Sequence, residues 1–203
     1  MFLVVGLGNP GRQYQGNRHN VGFRIVDQLA ARAGVSLPRN KFGAELFEIA
    51  RGAERVLLCK PMEFMNVSGQ AVRDVAGFYK IPAARTIVVH DELDVPFGRL
   101  KLGTGGGPGG HNGVRSIIAD LGTPDFVRVR VGIDRPPANW KGADYVLASF
   151  TGAEQKELPA LIDLAADAVE DIVARGLAAA MNKFNTKPKV ASKNEKGSAG
   201  GDA

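Results

Sequence analysis

The chain has 203 residues, 44% of them hydrophobic, and a formal net charge of +5. That is enough for one good core and hence one domain, and the mild positive charge admits an acidic partner such as nucleic acid without requiring one. The lone cysteine, Cys59, excludes a disulfide framework or a cysteine-based metal site, no run reaches transmembrane length, and the N-terminus has no basic leader, all of which point to a cytoplasmic protein.

Strand patterns come first at residues 2–5, then at 44–49, 55–59, 86–90, 99–102 and 126–133. Helical patterns begin near Asn20, Asn66 and Asn112, and a longer one covers 153–175. In the first helix Val21, Ile25, Val26 and Leu29 share a face, and Gly34 supplies the stop. In the last, Leu161, Ile162, Ala165, Val169, Ile172 and Val173 form the apolar stripe. Asp163, Asp167, Glu170 and Asp171 lie off it, an acidic face expected to point away from any polyanion. Alternating strands and helices predict an α/β fold with a mostly parallel sheet, in one domain over residues 1–185. From residue 186 on there are four lysines and two acids, a net +2 that leaves +3 for the body. That stretch, 186–203, reads as a disordered basic tail.

Three segments place a polar side chain where a helix begins: Asn9 and His19-Asn20, Met65-Asn66, and His111-Asn112. A helix start offers free N–H groups and a positive dipole end, which suit phosphate and carbonyl oxygens. Ligands of open α/β sheets bind beyond the carboxyl ends of the strands, where Asn9 and Asp91 both fall, so one shared cleft is expected. His19 sits where positive charge is disfavoured, which suits a ring that must accept a proton, and Asp91 is available to orient it. For an isolated histidine, packing at a helix start is the simpler reading; the pair tips the balance to a base with its orienter.

Other chemistries fit less well. Gly6-Leu7-Gly8-Asn9-Pro10-Gly11 matches a dinucleotide-binding pattern, but Pro10 removes an N–H from the phosphate cradle and no amphipathic helix starts at Gly11. Asp91, Glu92 and Asp94 are close in sequence, yet Asp94 belongs to a turn and the run is thin for a metal. Ser68, Ser116 and Ser149 lack a nucleophile elbow. Cys59 reads as a buried thiol on a strand. An activated water is the natural nucleophile. The glycine-rich run 103–110 reads either as a flexible connection or as a mobile wall, and Arg99, Lys101 and Arg115 around it suit phosphate contact.

Val5-Gly6-Leu7-Gly8-Asn9-Pro10-Gly11, Arg18-His19-Asn20-Val21-Gly22-Phe23, Phe64-Met65-Asn66-Val67-Ser68-Gly69, His90-Asp91-Glu92-Leu93-Asp94 and Gly109-Gly110-His111-Asn112-Gly113 occur in order. So do Leu121-Gly122-Thr123 and Arg128-Val129-Arg130-Val131-Gly132-Ile133. On these segments the chain resembles the bacterial peptidyl-tRNA hydrolases from about Phe2 to Asn185. The resemblance implies hydrolysis of the ester between a peptide and the 3′ ribose of tRNA. It implies His19 as the base on water, Asp91 as its orienter, and Asn9 as a residue favouring peptidyl over free aminoacyl substrates. It implies Asn9, Asn66 and Asn112 as binding residues, with Tyr14, Phe64, Met65 and His111 lining the site. It further implies a single α/β domain with a mixed, twisted sheet surrounded by helices, monomeric, with no metal, no cofactor and no obligate protein partner. Two positions depart from the family pattern: Asn17 stands where threonine is usual, and Gly103 where lysine is common, with Lys101 the nearest replacement. A non-catalytic RNA-binding protein on the same scaffold is the second reading, and a nucleotide-dependent oxidoreductase the third.

Overall fold

The structure, a computed structural model, describes residues 1–185; the expected tail at 186–203 lies outside the described residues. Seven strands form one sheet: β1 (Phe2–Gly6), β2 (Arg39–Lys41), β3 (Ala44–Arg51), β4 (Glu54–Pro61), β5 (Thr86–Glu92), β6 (Leu100–Thr104) and β7 (Val127–Gly132), in the order β2-β3-β4-β1-β5-β7-β6. The centre, β4-β1-β5-β7, is parallel, and the antiparallel pairs β2/β3, β3/β4 and β6/β7 complete the edges. The sheet is therefore mixed with a parallel core. Only β2 had no strand signal: Arg39, Asn40 and Lys41 are all exposed, so no apolar alternation marks them.

The reason for the parallel centre is legible in β1. Leu3, Val4 and Val5 are all fully buried, as a strand covered on both faces must be. Val4 belongs to a core shared with α1 (Val21–Arg32) and α5 (Gly152–Arg175). Leu3 and Val5 belong to a second core shared with α2 (Ser68–Tyr79) and α3 (Asn112–Leu121). The period of two thus feeds two cores, and each fully buried aliphatic side chain contributes roughly 1.5–3 kcal/mol relative to exposure. Short α4 (Gly142–Leu147) and α6 (Leu177–Phe184) complete the helices of the described residues.

The expected acidic face of α5 is not free. Arg32 of α1 pairs with Asp163 and Asp167 at 2.8 Å each, and Arg51 of β3 pairs with Glu170. The acids that lie off the apolar stripe help dock α5 on its neighbours.

Two glycines set the position of the site. A side chain on Gly22 would collide with the backbone of Leu7 and Val89, and one on Gly6 with the backbone of Gly22. The start of α1 therefore lies directly on the ends of β1 and β5. That close approach carries His19 to the carboxyl edge of the sheet.

Candidate active site

Asn9 follows β1 and is 7% exposed. Its backbone N–H donates to Asn20 Oδ1 at 2.9 Å, and Asn20 Nδ2 donates back to the Asn9 carbonyl at 2.8 Å. Its side-chain Oδ1 accepts from the Met65 N–H at 2.8 Å. Since Oδ1 is committed, the free face of the amide is its NH₂ group, a donor.

His19 lies in the 3₁₀ turn Arg18–Asn20 that precedes α1. Arg18 fastens this turn to the far end of the chain. It donates to the carbonyl of Ser149 at 2.7 Å, pairs with Glu154 at 2.7 Å and lies 4.2 Å over the Tyr145 ring. Glu154 also closes the capping box of α5 with Thr151. Asn17, the departure from the family pattern, is buried in an isolated bridge to Ser149.

Asp91, in β5 and 3% exposed, gathers the chain's three histidines. His19 Nδ1 donates to Oδ1 at 2.8 Å, with Oδ2 at 3.0 Å. His111 Nε2 donates to the same Oδ1 at 3.0 Å. His90 Nδ1 donates to the Asp91 backbone carbonyl at 2.7 Å. Burial alone would raise the Asp91 carboxyl, but His19 and His111 beside it hold it well below the usual carboxylate range. An ionised carboxylate only accepts, so the hydrogens sit on Nδ1 of His19 and Nε2 of His111. In the neutral ring this tautomer leaves Nε2 of His19 without a hydrogen. His111 Nδ1 in turn accepts from the Val114 N–H at 3.4 Å and caps α3. Burial, with the His111 ring alongside, pushes His90 down to about 3, and its Nε2 has no partner.

Three hollows lie around these residues, the first and third sharing Glu92 and Gly109. One, of about 220 Å³, is lined by His19, Asp91, Gly109–Asn112 and the apolar Leu93, Ala143 and Val146. A second, of about 290 Å³, is lined by Asn9, Asn20, Phe23, Arg24 and Lys60. A third, of about 240 Å³, holds His90, Lys101, Arg128 and Arg130.

Asn9, His19, Met65, Asp91 and His111 come together as the sequence predicts. Asn66 and Asn112 are exposed at the starts of α2 and α3, and Phe64, 59% exposed, precedes the turn Met65–Val67. Tyr14 stands in the turn Arg12–Tyr14 and joins the site's loop by its backbone, accepting from Asn17 N and donating to Gly11 O. Arg115 donates to Asn112 Oδ1 at 2.8 Å, so Asn112 too presents its NH₂. Lys101 lies opposite Arg130 in the β6/β7 register and lines the third hollow, not the one that His19 lines. The acids at 91–94 part company: Asp94 pairs with Arg135, and Glu92 lies 3.8 Å from Arg130. Cys59 is buried and its thiol is pushed up to about 12 by burial, which suits no nucleophile.

Sequence reasoning named Asn20 among the polar residues at helix starts without giving it a partner, and missed Arg128 and Arg130. Arg128 is 2% exposed, and its two terminal nitrogens donate to the carbonyls of Gly107 and Gly106 at 2.6 Å each. The glycine-rich run is thus tied down by a buried guanidinium. The alternation Arg128-Val129-Arg130 puts both arginines on one sheet face, and that period was the available signal.

The comparisons agree with one another. A family model described as Peptidyl-tRNA hydrolase matches residues 3–193. The chain is 53% identical to the peptidyl-tRNA hydrolase of Frankia alni over 184 residues, which covers 91% of this chain and 93% of that one. It is 53% identical to that of Pseudarthrobacter chlorophenolicus over 186 residues, covering 91% and 95%. A crystal structure of peptidyl-tRNA hydrolase from Acinetobacter baumannii superposes with a TM-score of 0.85 at 39% identity, covering 92% of this chain and 95% of that one. A crystal structure of a peptidyl-tRNA hydrolase in complex with N-propanol gives 0.87 at 39% identity, covering 94% and 97%.

Proposed function

The chain belongs to the peptidyl-tRNA hydrolase family, and from that premise we propose that His19 is the general base and Asp91 its orienter. The protein is an enzyme: a peptidyl-tRNA hydrolase, cleaving the ester that joins a peptide to tRNA. The observation that carries the assignment of roles is the 2.8 Å bond from His19 Nδ1 to Asp91, which leaves Nε2 bare in a ring that lines the cleft.

The chemistry follows from that tautomer. His19 Nε2 takes a proton from water as the water oxygen attacks the ester carbonyl carbon. Asp91 stabilises the imidazolium so formed and keeps Nδ1–H in place. The carbonyl electrons move onto oxygen, then return as the bond to the 3′ ribose oxygen breaks. The proton on Nε2 passes to that leaving oxygen, giving tRNA with a free hydroxyl and a peptide carboxylic acid, which then loses its proton to solvent. The NH₂ groups of Asn9 and Asn112 are free to donate to peptide carbonyls or to the developing oxyanion, because their Oδ1 atoms are held by Met65 and Arg115. Asn66 joins them at the start of α2, and Tyr14, Phe64, Met65 and His111 complete the substrate-facing set.

For the RNA, Lys101 and Arg115 offer exposed positive charge for phosphates, with Arg130 beside Lys101. We place the reaction in the cytoplasm, with the protein acting as a monomer without an obligate protein partner, and residues 1–185 as its catalytic domain. Among the described residues no helix is long and apolar enough to cross a membrane.

The test is release of N-acetyl-amino acid from N-acetyl-aminoacyl-tRNA, wild type beside His19→Ala, without added metal, together with tRNA binding by both. Cleavage by the wild type alone, with binding retained, supports the assignment. Full activity in His19→Ala removes His19 from the role. Binding without cleavage by either protein leaves an RNA-binding protein on the same scaffold.

A further inference from the structure

Two histidines converge on one carboxylate oxygen at the floor of the first cleft. His19 Nδ1 and His111 Nε2 lie 2.8 and 3.0 Å from Asp91 Oδ1, and the ligand atoms of the three residues all fall within 4.8 Å of one another. Two imidazole nitrogens and a carboxylate oxygen are a donor set for Zn²⁺ and its neighbours Co²⁺ and Ni²⁺, at roughly 2.0–2.2 Å from the ion. We propose that His19, Asp91 and His111 form an inhibitory site for a divalent transition-metal ion such as Zn²⁺, which replaces the two hydrogens now held between the rings and the carboxylate.

Geometry and access both support the site. Three donors at about 2.1 Å from a tetrahedral centre stand about 3.4 Å apart. The N···O separations of 2.8 and 3.0 Å must therefore open by about half an ångström, while the two ring nitrogens, within 4.8 Å of one another, draw together by a small turn of the rings. The rings have their neighbours already arranged: His111 packs 4.7 Å from His19 and 4.8 Å from His90, centroid to centroid. His19, Asp91 and His111 all line the cleft of about 220 Å³, which has room for water to complete the coordination.

The inhibition follows from hydrogen bookkeeping in the rings. A neutral imidazole bound to an ion keeps its one hydrogen on the other nitrogen. For His19 that nitrogen is Nε2, the atom that must accept the proton of water, so the metal-bound ring is no longer a base. For His111 it is Nδ1, which gives up the Val114 N–H at 3.4 Å, a long hydrogen bond whose loss is cheap. Ion binding and catalysis therefore exclude each other. The inhibition rests on the proposed role of His19; the binding does not. A hard ion such as Mg²⁺ prefers all-oxygen coordination and should leave the site alone.

The experiment uses the full chain freed of metal by chelation. Co²⁺ is titrated while its visible absorption is followed, Zn²⁺ binding is measured by calorimetry, and cleavage of N-acetyl-aminoacyl-tRNA is assayed against Zn²⁺ and against Mg²⁺. The proposal expects one Co²⁺ per chain, displaced by Zn²⁺. It expects loss of activity at the Zn²⁺ concentration that half-saturates the site, recovery with chelator, and no inhibition by Mg²⁺. His111→Ala should weaken Zn²⁺ binding by at least the roughly 10–100-fold that follows loss of even an outer-shell partner. Calorimetry reads that loss whatever the variant's own rate. Absence of Co²⁺ and Zn²⁺ binding in the wild type overturns the proposal, as does binding unchanged in both His111→Ala and Asp91→Asn. Binding accompanied by a rise in rate overturns the inhibitory role. A metal-free wild type that binds Zn²⁺ but never cleaves refutes the general-base reading while leaving the site intact.

Discussion

Asn20 holds the backbone of Asn9 with two reciprocal hydrogen bonds, at 2.9 and 2.8 Å, across eleven residues of sequence. Both residues are buried, so the pair fixes the loop after β1 to the start of α1 and aligns Asn9 with His19. Asn20→Ala removes both partners at once. It should cost about 1–3 kcal/mol of stability and lower kcat by about 10–100-fold through the misplaced Asn9, on the scale by which a 1 Å displacement slows catalysis. Thermal melts and steady-state kinetics would check this; a lowered Tm with wild-type kcat would leave Asn20 a purely structural residue.

Replacing Asp91 by Asn should lower kcat by about 10²–10⁴-fold, the range of a general base lost or set in the wrong tautomer. An amide oxygen at the Oδ1 position still accepts from both rings, but the charge that stabilises the imidazolium is gone and an NH₂ stands where Oδ2 now lies 3.0 Å from the His19 Nδ1–H. In the wild type the carboxyl stays ionised through the acid range, because its folded pKa is depressed. Because His90 bonds the backbone carbonyl of Asp91 and not its carboxylate, the acid limb of the wild-type pH–rate profile should persist unchanged in a variant that alters only His90. A limb that moves with His90→Gln would mean a shared titration.

His90 supplies a stability prediction. Its folded pKa, about 3, lies below the ordinary 6.5. Its contribution is thus fully present above pH 6.5 and is lost as pH falls towards 3, at up to about 1.4 kcal/mol per pH unit. Unfolding free energies measured between pH 7 and 4 should fall more steeply for wild type than for His90→Gln. Parallel slopes would show that His90 is not buried in its neutral form.

Arg128 is the buried clamp on the glycine-rich loop, through the carbonyls of Gly106 and Gly107. Arg128→Met should raise cleavage of residues 105–110 by a nonspecific protease several-fold and lower kcat/KM by about tenfold, since His111 follows this loop. Arg128→Lys, with one point charge in place of a fork, should fall between. Protection of the loop unchanged in Arg128→Met would show that the glycine run holds its shape without the clamp.

The proposed phosphate contacts of Lys101 and Arg115 can be told apart by what each residue also touches: Lys101 faces Arg130 across the strand pair, and Arg115 holds Asn112. Lys101→Ala should raise KM, and its dependence on salt should flatten by about one counterion. Arg115→Ala should do the same and also lower kcat, because Arg115 holds Asn112 Oδ1. A salt slope that stays at the wild-type value in Lys101→Ala would remove Lys101 from the phosphate contacts.

The order of motifs, the starts of α1, α2, α3 and α5, the apolar strands and the places of Asn9, His19 and Asp91 at the ends of their elements were legible in the sequence by itself. Each of these rests on a local signal: a period of two or 3.6, a polar residue at a helix start, a glycine that stops a helix. Tertiary structure alone decided the rest. It put His111 on the same oxygen as His19, Asn20 against Asn9, Arg128 under the glycine loop, Lys101 across from Arg130, and the acids of α5 onto Arg32 and Arg51. These relations join residues from 11 to more than 100 positions apart, so they depend on strand register and on how closely the helices pack. Gly22 shows the cause: nothing in its sequence context says that α1 must touch Leu7 and Val89, and only the absent side chain allows it.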